Sequence, residues 1–219
     1  MEGQWFLHSN KTLDLSDEYL VDCDGSHDDI HADCSIFGGW PYLAYGFIMK
    51  AGGLPSEEDY PYCAGTGDCY PCMLGPKSLC GPPPYYCDED IVATQCPPNK
   101  QNVAAKIRGW TAISEDEEEM RDLLPTVGPM SVLLDATQLQ FYQSGVWDGK
   151  VPGAPDFAGC RDYLNHAVLA VGYGTDADAG DYWIVKNSWA DSWGEDGYFR
   201  ITRGEGTCGI NTAVTSSFT

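Results

Sequence analysis

Basic residues are scarce in this chain: 12 lysines and arginines stand against 33 aspartates and glutamates, for a formal net charge of −21 over 219 residues. That balance repels phosphate backbones, and no basic stripe gathers the few cations, so a nucleic-acid partner is set aside. Long apolar runs are missing as well. None is long enough to span a bilayer, and no signal-peptide pattern precedes Met1. There is no internal repeat and no long low-complexity tract. What remains is a globular composition, 43% hydrophobic and 12% aromatic, able to bury one sizeable core or two small ones. An acidic balance also suits work at low pH, where carboxylates partly protonate and self-repulsion falls.

Ten cysteines in a chain of this size, without a repeated metal-type quartet, point to an oxidising compartment: the secretory pathway, a lysosome or vacuole, or the cell exterior. The sequon Asn10-Lys11-Thr12 points the same way. From Cys63 to Cys96 the chain carries six cysteines and many prolines, among them Pro82-Pro83-Pro84, a composition suited to an irregular insertion stapled by disulfides. Zinc held by Cys69-Tyr70-Pro71-Cys72 is the competing reading. It lacks a second matching pair and any histidine within the insertion, so disulfides are favoured and neither metal nor cofactor is expected.

Helical signals come first and strand signals later. Ser16, followed by Asp17 and Glu18, caps a short helix through Val21, and Trp40 to Lys50 reads as an apolar helix ended by Gly52-Gly53. Ser114-Glu115-Asp116-Glu117 has the form of a capping box opening a helix to about Leu124. The acidic run Glu115 to Glu119 is then the solvated helix start, favourable to its dipole, rather than a calcium site. Met130 to Ala136, Ala167 to Tyr173, Tyr182 to Lys186 and Tyr198 to Thr202 read as strands. The expectation is an α+β protein of two subdomains, a helical one over 1–104 with the insertion at about 63–98, and a β-rich one over 105–219, with a cleft between them as the natural site.

Two short segments carry chemistry. His166 opens an apolar run, and Asn187 closes another in Lys186-Asn187-Ser188-Trp189. A histidine that serves a thiol must keep a proton on one ring nitrogen while the other faces the sulfur, and a neutral amide oxygen is a suitable orienter. The Trp189 indole, two residues on, would shield that hydrogen bond from water. A histidine beside apolar residues is ordinarily a satisfied core residue; the pairing with Asn187 and Trp189 is what lifts His166 above that reading. Trp183, Trp193 and the glycine-rich turns are read as core and turn residues.

The runs His166-Ala-Val-Leu-Ala-Val-Gly-Tyr-Gly174, Tyr182-Trp-Ile-Val-Lys-Asn-Ser-Trp189 and Trp193-Gly-Glu-Asp-Gly-Tyr-Phe-Arg-Ile201 resemble the second half of a papain-like cysteine peptidase of the cathepsin group. Glu2-Gly-Gln-Trp-Phe6, Leu20-Val-Asp-Cys23, Gly38-Gly-Trp-Pro41, Tyr60-Pro-Tyr62, Gly128-Pro-Met-Ser-Val132 and Thr207-Cys-Gly-Ile-Asn211 follow in the family's order, leaving out about Cys63 to Gln95. The resemblance implies a papain-like fold of two subdomains, an endopeptidase mechanism, and His166 and Asn187 as catalytic residues supported by Trp189. It also implies a substrate-binding set of Gly38, Gly39, Pro41, Leu133, Leu164, Asn165, Ala167 and Ala213, whose pocket residues are apolar and expect a bulky hydrophobic guest. Gly38 and Gly39 would hydrogen-bond an extended peptide strand-fashion; Ser35, Ile36 and Phe37 stand where the family usually has one residue before that pair. Partners would be a peptide or protein substrate and a cystatin-like or propeptide inhibitor. By the same resemblance Cys160 pairs with Cys208 and Cys23 with Cys96, while Cys34, Cys63, Cys69, Cys72, Cys80 and Cys87 make six whose connectivity stays open.

The family's nucleophile setting, Cys-Gly-Ser-Cys-Trp with a glutamine shortly before it, does not occur in the sequence. Cys34 lies in the window of about 130 to 150 residues before His166 that nucleophiles of this family occupy. It stands just ahead of the Gly38-Gly39 segment, where the family has a disulfide partner, and the insertion inflates the distance, so it is not assigned as the nucleophile. The resemblance implies that Met1 falls inside the family's central helix, roughly three turns past the nucleophile, with Met1 to Leu7 as that helix's end. Two functions follow: a papain-like peptidase whose polypeptide, as it stands, lacks its thiol, and a non-catalytic relative that binds peptides or a protein partner.

Overall fold

The computed structural model describes residues 1–24, 38–62, 96, 102–150, 159–160 and 163–219. The chain divides into two compact units, Met1–Trp110 with Ser217–Thr219, and Thr111–Ser216.

In the first unit α1 runs Glu2–Ser9, α2 Asp17–Cys23 and α3 Pro41–Ala51, and a two-stranded antiparallel ladder joins β1, Leu54–Pro55, to β2, Val103–Ala105. Ser16 caps α2 as its sequence predicts: the Ser16 hydroxyl accepts from the Tyr19 N–H at 3.0 Å and donates to the Tyr60 carbonyl at 2.6 Å. Pro41 opens α3, where its missing N–H costs nothing, and Gly52 closes it in the left-handed region at φ 85°. The core gathers Leu15, Tyr19, Phe47, Ile48, Leu54 and Ile107 around the Cys23–Cys96 disulfide, whose Cα atoms lie 5.5 Å apart. By contrast, no residue of α1 is buried, and Phe6 and Leu7 are 47% and 63% exposed.

Most of a seven-stranded sheet lies in the second unit. Its strands are β3, Gly109–Ala112; β4, Met130–Leu134; β5, Val146–Trp147; β6, His166–Asp176; β7, Gly180–Lys186; β8, Tyr198–Thr202; and β9, Thr215–Phe218. Their order is β3-β9-β4-β6-β7-β8-β5. Alternation along β7 and β8 sends Trp183, Val185, Phe199 and Ile201 into a core completed by Met120, Met130, Val132 and Leu134. The β6–β7 hairpin is pinned at its tip, where the Asp176 carboxylate accepts from the Asp178 and Ala179 N–H groups, bonds that hold its carboxyl below its ordinary value. Gly174 faces Tyr182 across the hairpin, and a Cβ there would fall 2.5 Å from the Tyr182 hydroxyl, so a larger residue would have to displace that ring.

Two local expectations need correction. The strand expected from Met130 to Ala136 stops at Leu134, because Asp135 turns inward to serve side-chain hydrogen bonds described below. The helix α4 spans Glu117–Val127 and is capped by Asp116, not by Ser114. The Asp116 carboxylate accepts from the Glu118 and Glu119 N–H groups, while Ser114 accepts only from Asp116 N–H, one step too early.

Glu117, the first residue of α4, is buried, and its carboxylate binds two groups from other elements: the indole N–H of Trp183 and the Gly206 N–H, each at 2.6 Å. Replacing Glu117 by Ala strands both donors in a dry core, at a cost of about 1–3 kcal/mol for each unsatisfied group. We expect Glu117→Ala to lower the stability of this unit by about 3 kcal/mol in urea titration; a change of a few tenths would contradict the role given to Glu117.

In the first unit Asp22 is 4% exposed and accepts the Tyr60 hydroxyl at 2.7 Å. Burial raises its carboxyl above the ordinary value; the Tyr60 hydrogen bond opposes this and the charge of Glu18 adds to it. A carboxyl raised in the folded state takes up a proton on folding, so stability falls as pH climbs from the ordinary carboxylate range through the raised value. Asp22→Asn keeps the acceptor for Tyr60 and removes the buried charge. It should stabilise this unit at pH 7, with the gain shrinking in acid, as hydrogen exchange of the α2 amides would read.

Candidate active site

The antiparallel register of β4, β6 and β7 brings the site together. Leu134 pairs with His166 at one end of the β4–β6 ladder, and Leu169 pairs with Lys186 at the matching end of β6–β7. His166, first residue of β6, and Asn187, directly after β7, therefore meet at the same end of neighbouring strands. His166 Nε2 lies 2.8 Å from Asn187 Oδ1. Asn187 Oδ1 also accepts the Ser188 N–H at 2.8 Å, and since a backbone N–H only donates, the amide orientation is fixed. Oδ1 being an acceptor, Nε2 carries the proton, which leaves Nδ1 as the basic nitrogen of the neutral ring. Asn187 is 8% exposed and its own N–H is held by the Gly197 carbonyl at 2.9 Å.

Aromatic rings close over this pair. Trp189 stacks on the imidazole with centroids 5.0 Å apart, and Trp193 meets Trp189 edge-on at 5.1 Å before packing against Tyr142 and Phe199. Trp193 thus belongs to the core, and it also props the ring that covers His166. Behind both, Glu195 binds Arg200 through two hydrogen bonds and accepts the Gly145 N–H, and these partners hold its carboxyl below its ordinary value.

A clip of side chains that the sequence does not reveal fixes the start of β6. The Asn165 carboxamide accepts the Ala136 N–H at 2.8 Å and donates to Asp135 and to the Thr137 hydroxyl, while Asp135 accepts the Thr137 N–H at 2.9 Å. Asn165 N–H reaches the Leu134 carbonyl at 3.1 Å. The ladder is thus continued by one side-chain step beyond its last strand pair, so His166 is not left at a fraying end. A cavity of about 330 Å³ opens here, lined by Ala136, Thr137, Gln140, Asn165, His166 and Trp189. A larger one of about 450 Å³, along Phe141, Tyr142, Trp147 and Lys150, contains neither histidine nor cysteine.

The remaining predicted residues are more scattered. Leu133 and Ala167 face each other across β4 and β6, with Leu133 only 5% exposed. Leu164 lies against Gly209, where a Cβ would come within 2.9 Å of its Cδ2, and Ala213 is half-buried. In the first unit Gly38 and Gly39 are exposed, Gly38 at φ 99° with open space where a side chain would stand, and Pro41 opens α3. Cys160 and Cys208 form a disulfide with Cα atoms 5.2 Å apart, and the Cys208 carbonyl accepts the Asp135 N–H at 2.9 Å, tying the bridge to the clip. Cys34, Cys63, Cys69, Cys72, Cys80 and Cys87 lie outside the described residues. Among the described residues no group of three or more His, Cys, Asp or Glu is arranged to hold a metal ion, and no helix is long and apolar enough to cross a membrane.

Residues 1–218 match the papain family cysteine protease description. The chain belongs to that family. It is 35% identical over 225 residues to cysteine proteinase 1 of Dictyostelium discoideum, a match covering 99% of this chain and 56% of that protein. With procathepsin L of Rattus norvegicus it shares 37% identity over 220 residues, covering 98% and 54%. The chain therefore spans about half the length of these curated relatives. Among solved structures it resembles digestive procathepsin L 3 of Tenebrio molitor larval midgut, with TM-score 0.71, 33% identity and coverage of 100% of this chain and 60% of that one. The bromelain protease of Ananas comosus in complex with the E64 inhibitor gives TM-score 0.71 at 29% identity, over 99% and 83%. The α+β papain-like fold is thereby established.

Asn187→Ala removes the acceptor that selects the Nε2–H form. We expect nitrogen NMR of His166 to change from a single Nε2–H tautomer to a mixture; an unchanged spectrum would refute Asn187 as the orienter.

Proposed function

We propose that the chain carries the histidine–asparagine half of a cysteine-type endopeptidase site. The observation that supports this is the hydrogen bond between His166 Nε2 and Asn187 Oδ1, which leaves Nδ1 free to take a proton from a thiol. With a thiol at Nδ1 the pair would form thiolate and imidazolium. The thiolate would attack a peptide carbonyl, the imidazolium would protonate the leaving amine, and water would resolve the acyl-enzyme. Trp189 excludes water from the imidazole–amide bond and so favours the oriented ring. Leu133, Leu164, Ala167 and Ala213 are proposed to receive an apolar side chain, with Asn165 beside them, and the Gly38-Gly39 backbone to pair with an extended peptide. A lysosomal, vacuolar or extracellular setting fits the Cys23–Cys96 and Cys160–Cys208 disulfides.

The polypeptide of 219 residues does not, in this reading, hydrolyse peptides by itself. The four cysteines among its described residues are all disulfide-bonded, and the sequence holds no Cys-Gly-Ser-Cys-Trp segment. The second reading is a non-catalytic relative that binds peptides or a protein partner through the same residues. We expect no turnover of a fluorogenic peptide with a hydrophobic residue two positions before the scissile bond, and no labelling by a thiol-reactive epoxide. Turnover that the epoxide blocks and Cys34→Ser abolishes would overturn this and make Cys34 the nucleophile.

A further inference from the structure

We propose that Asn10 is an N-glycosylation acceptor, and that its glycan covers the exposed apolar end of α1. The six asparagines of the chain are Asn10, Asn99, Asn102, Asn165, Asn187 and Asn211, and Asn10 alone has a hydroxyl residue two positions on, with Lys11 rather than proline between. That is the pattern an oligosaccharide transferase requires, on a surface segment that can enter its site.

The local structure meets the requirement. Asn10 caps the C-terminus of α1 at φ 54°, ψ 30°, and its N–H returns to the Phe6 carbonyl at 2.8 Å. The chain then leaves the helix, so Lys11 and Thr12 lie in irregular backbone, and Asn10, Lys11 and Thr12 are all exposed. A left-handed cap accounts for asparagine here on its own. That cap uses only the backbone, and glycine would serve it as well. The Asn10 carboxamide and the Thr12 hydroxyl have no hydrogen-bond partner among the described residues, so neither is spent on the fold.

The transfer is chemically simple. Asn10 Nδ2 forms a bond to the anomeric carbon of a lipid-pyrophosphate-linked oligosaccharide. The bond from that carbon to the phosphate oxygen breaks, the lipid pyrophosphate leaves with the electron pair, and Nδ2 gives up one proton. Asn10 closes the last turn of α1 with its N–H on the Phe6 carbonyl, so a glycan there starts within one turn of the exposed Phe6 and Leu7. A glycan there would lie over Phe6 and Leu7, large apolar side chains that the fold leaves in water.

The proposal rests on the secretory setting given above, and the Cys160–Cys208 bridge reports on that setting separately. The full chain is expressed behind a secretion signal in a eukaryotic host, then measured by intact mass and by peptide mapping with and without peptide-N-glycosidase. The expected result is one glycan increment, lost on enzyme treatment with conversion of Asn10 to Asp. Thr12→Ser should keep the glycan and Thr12→Ala should lose it, both with the Cys160–Cys208 bridge closed. A bare Asn10 in secreted molecules whose bridge is closed overturns the site, as does a glycan that survives Thr12→Ala. A bare Asn10 with the bridge open overturns the compartment reading and the modification with it.

Discussion

Strand register is the constraint on which the candidate site depends. His166 and Asn187 are separated by a complete hairpin, and they meet only because β6 and β7 pair so that Leu169 faces Lys186. A slip by one residue would send His166 to the other face of the sheet. Several features hold the register: Asp176 at the hairpin tip, Gly174 under Tyr182, and the bulge between Ala170 and Gly172. The bulge matters because it lets an extended β6 change its pairing phase midway, so that residues at both ends can serve different neighbours.

Much of this was legible in the residues, for identifiable reasons. Strand β8 coincides with the expected Tyr198 to Thr202, and α3 differs from Trp40 to Lys50 by one residue at each end, because proline and glycine mark its limits. The His166–Asn187 contact was visible as two polar residues set at the ends of apolar runs. Strands β3 and β9 were not visible: Thr215-Ser-Ser-Phe218 is short and polar, and its burial comes from sheet neighbours rather than from its own hydrophobicity. The Asp135–Asn165–Thr137 clip escaped for a related reason. Asp135 follows an apolar strand and gives no sign that its carboxylate folds back on the next turn, and nothing in the residues around Asn165 signals that its amide reaches Ala136 and Asp135. Ser114 and Asp116 are both good caps two residues apart, and a sequence pattern does not decide between them.

The two units manage buried charge differently. In the second, Glu117 bridges two donors, and Arg203, 7% exposed, is met by Glu118 at 2.6 Å and Asp181 at 2.8 Å. Both charges are met by hydrogen bonds, the arrangement that makes burial tolerable, although the Arg203 Nε is left without a partner among the described residues. In the first, the Asp22 Oδ1 has no partner among the described residues although its residue is almost dry. The helical unit is thus the one whose stability leans on protonation, in a protein whose surface is strongly acidic.

The Cys23–Cys96 bridge has a consequence for covalent integrity. It joins residues 73 apart in sequence, and closing a loop of that length removes unfolded-chain entropy worth about 4 kcal/mol. Both sulfurs sit in the core of the first unit, to which Phe47, Ile48 and Leu54 inside the loop also contribute, so the bridge ties the two ends of the loop within that core. A backbone cut between Asp24 and Gln95 would therefore yield a two-chain molecule rather than two fragments.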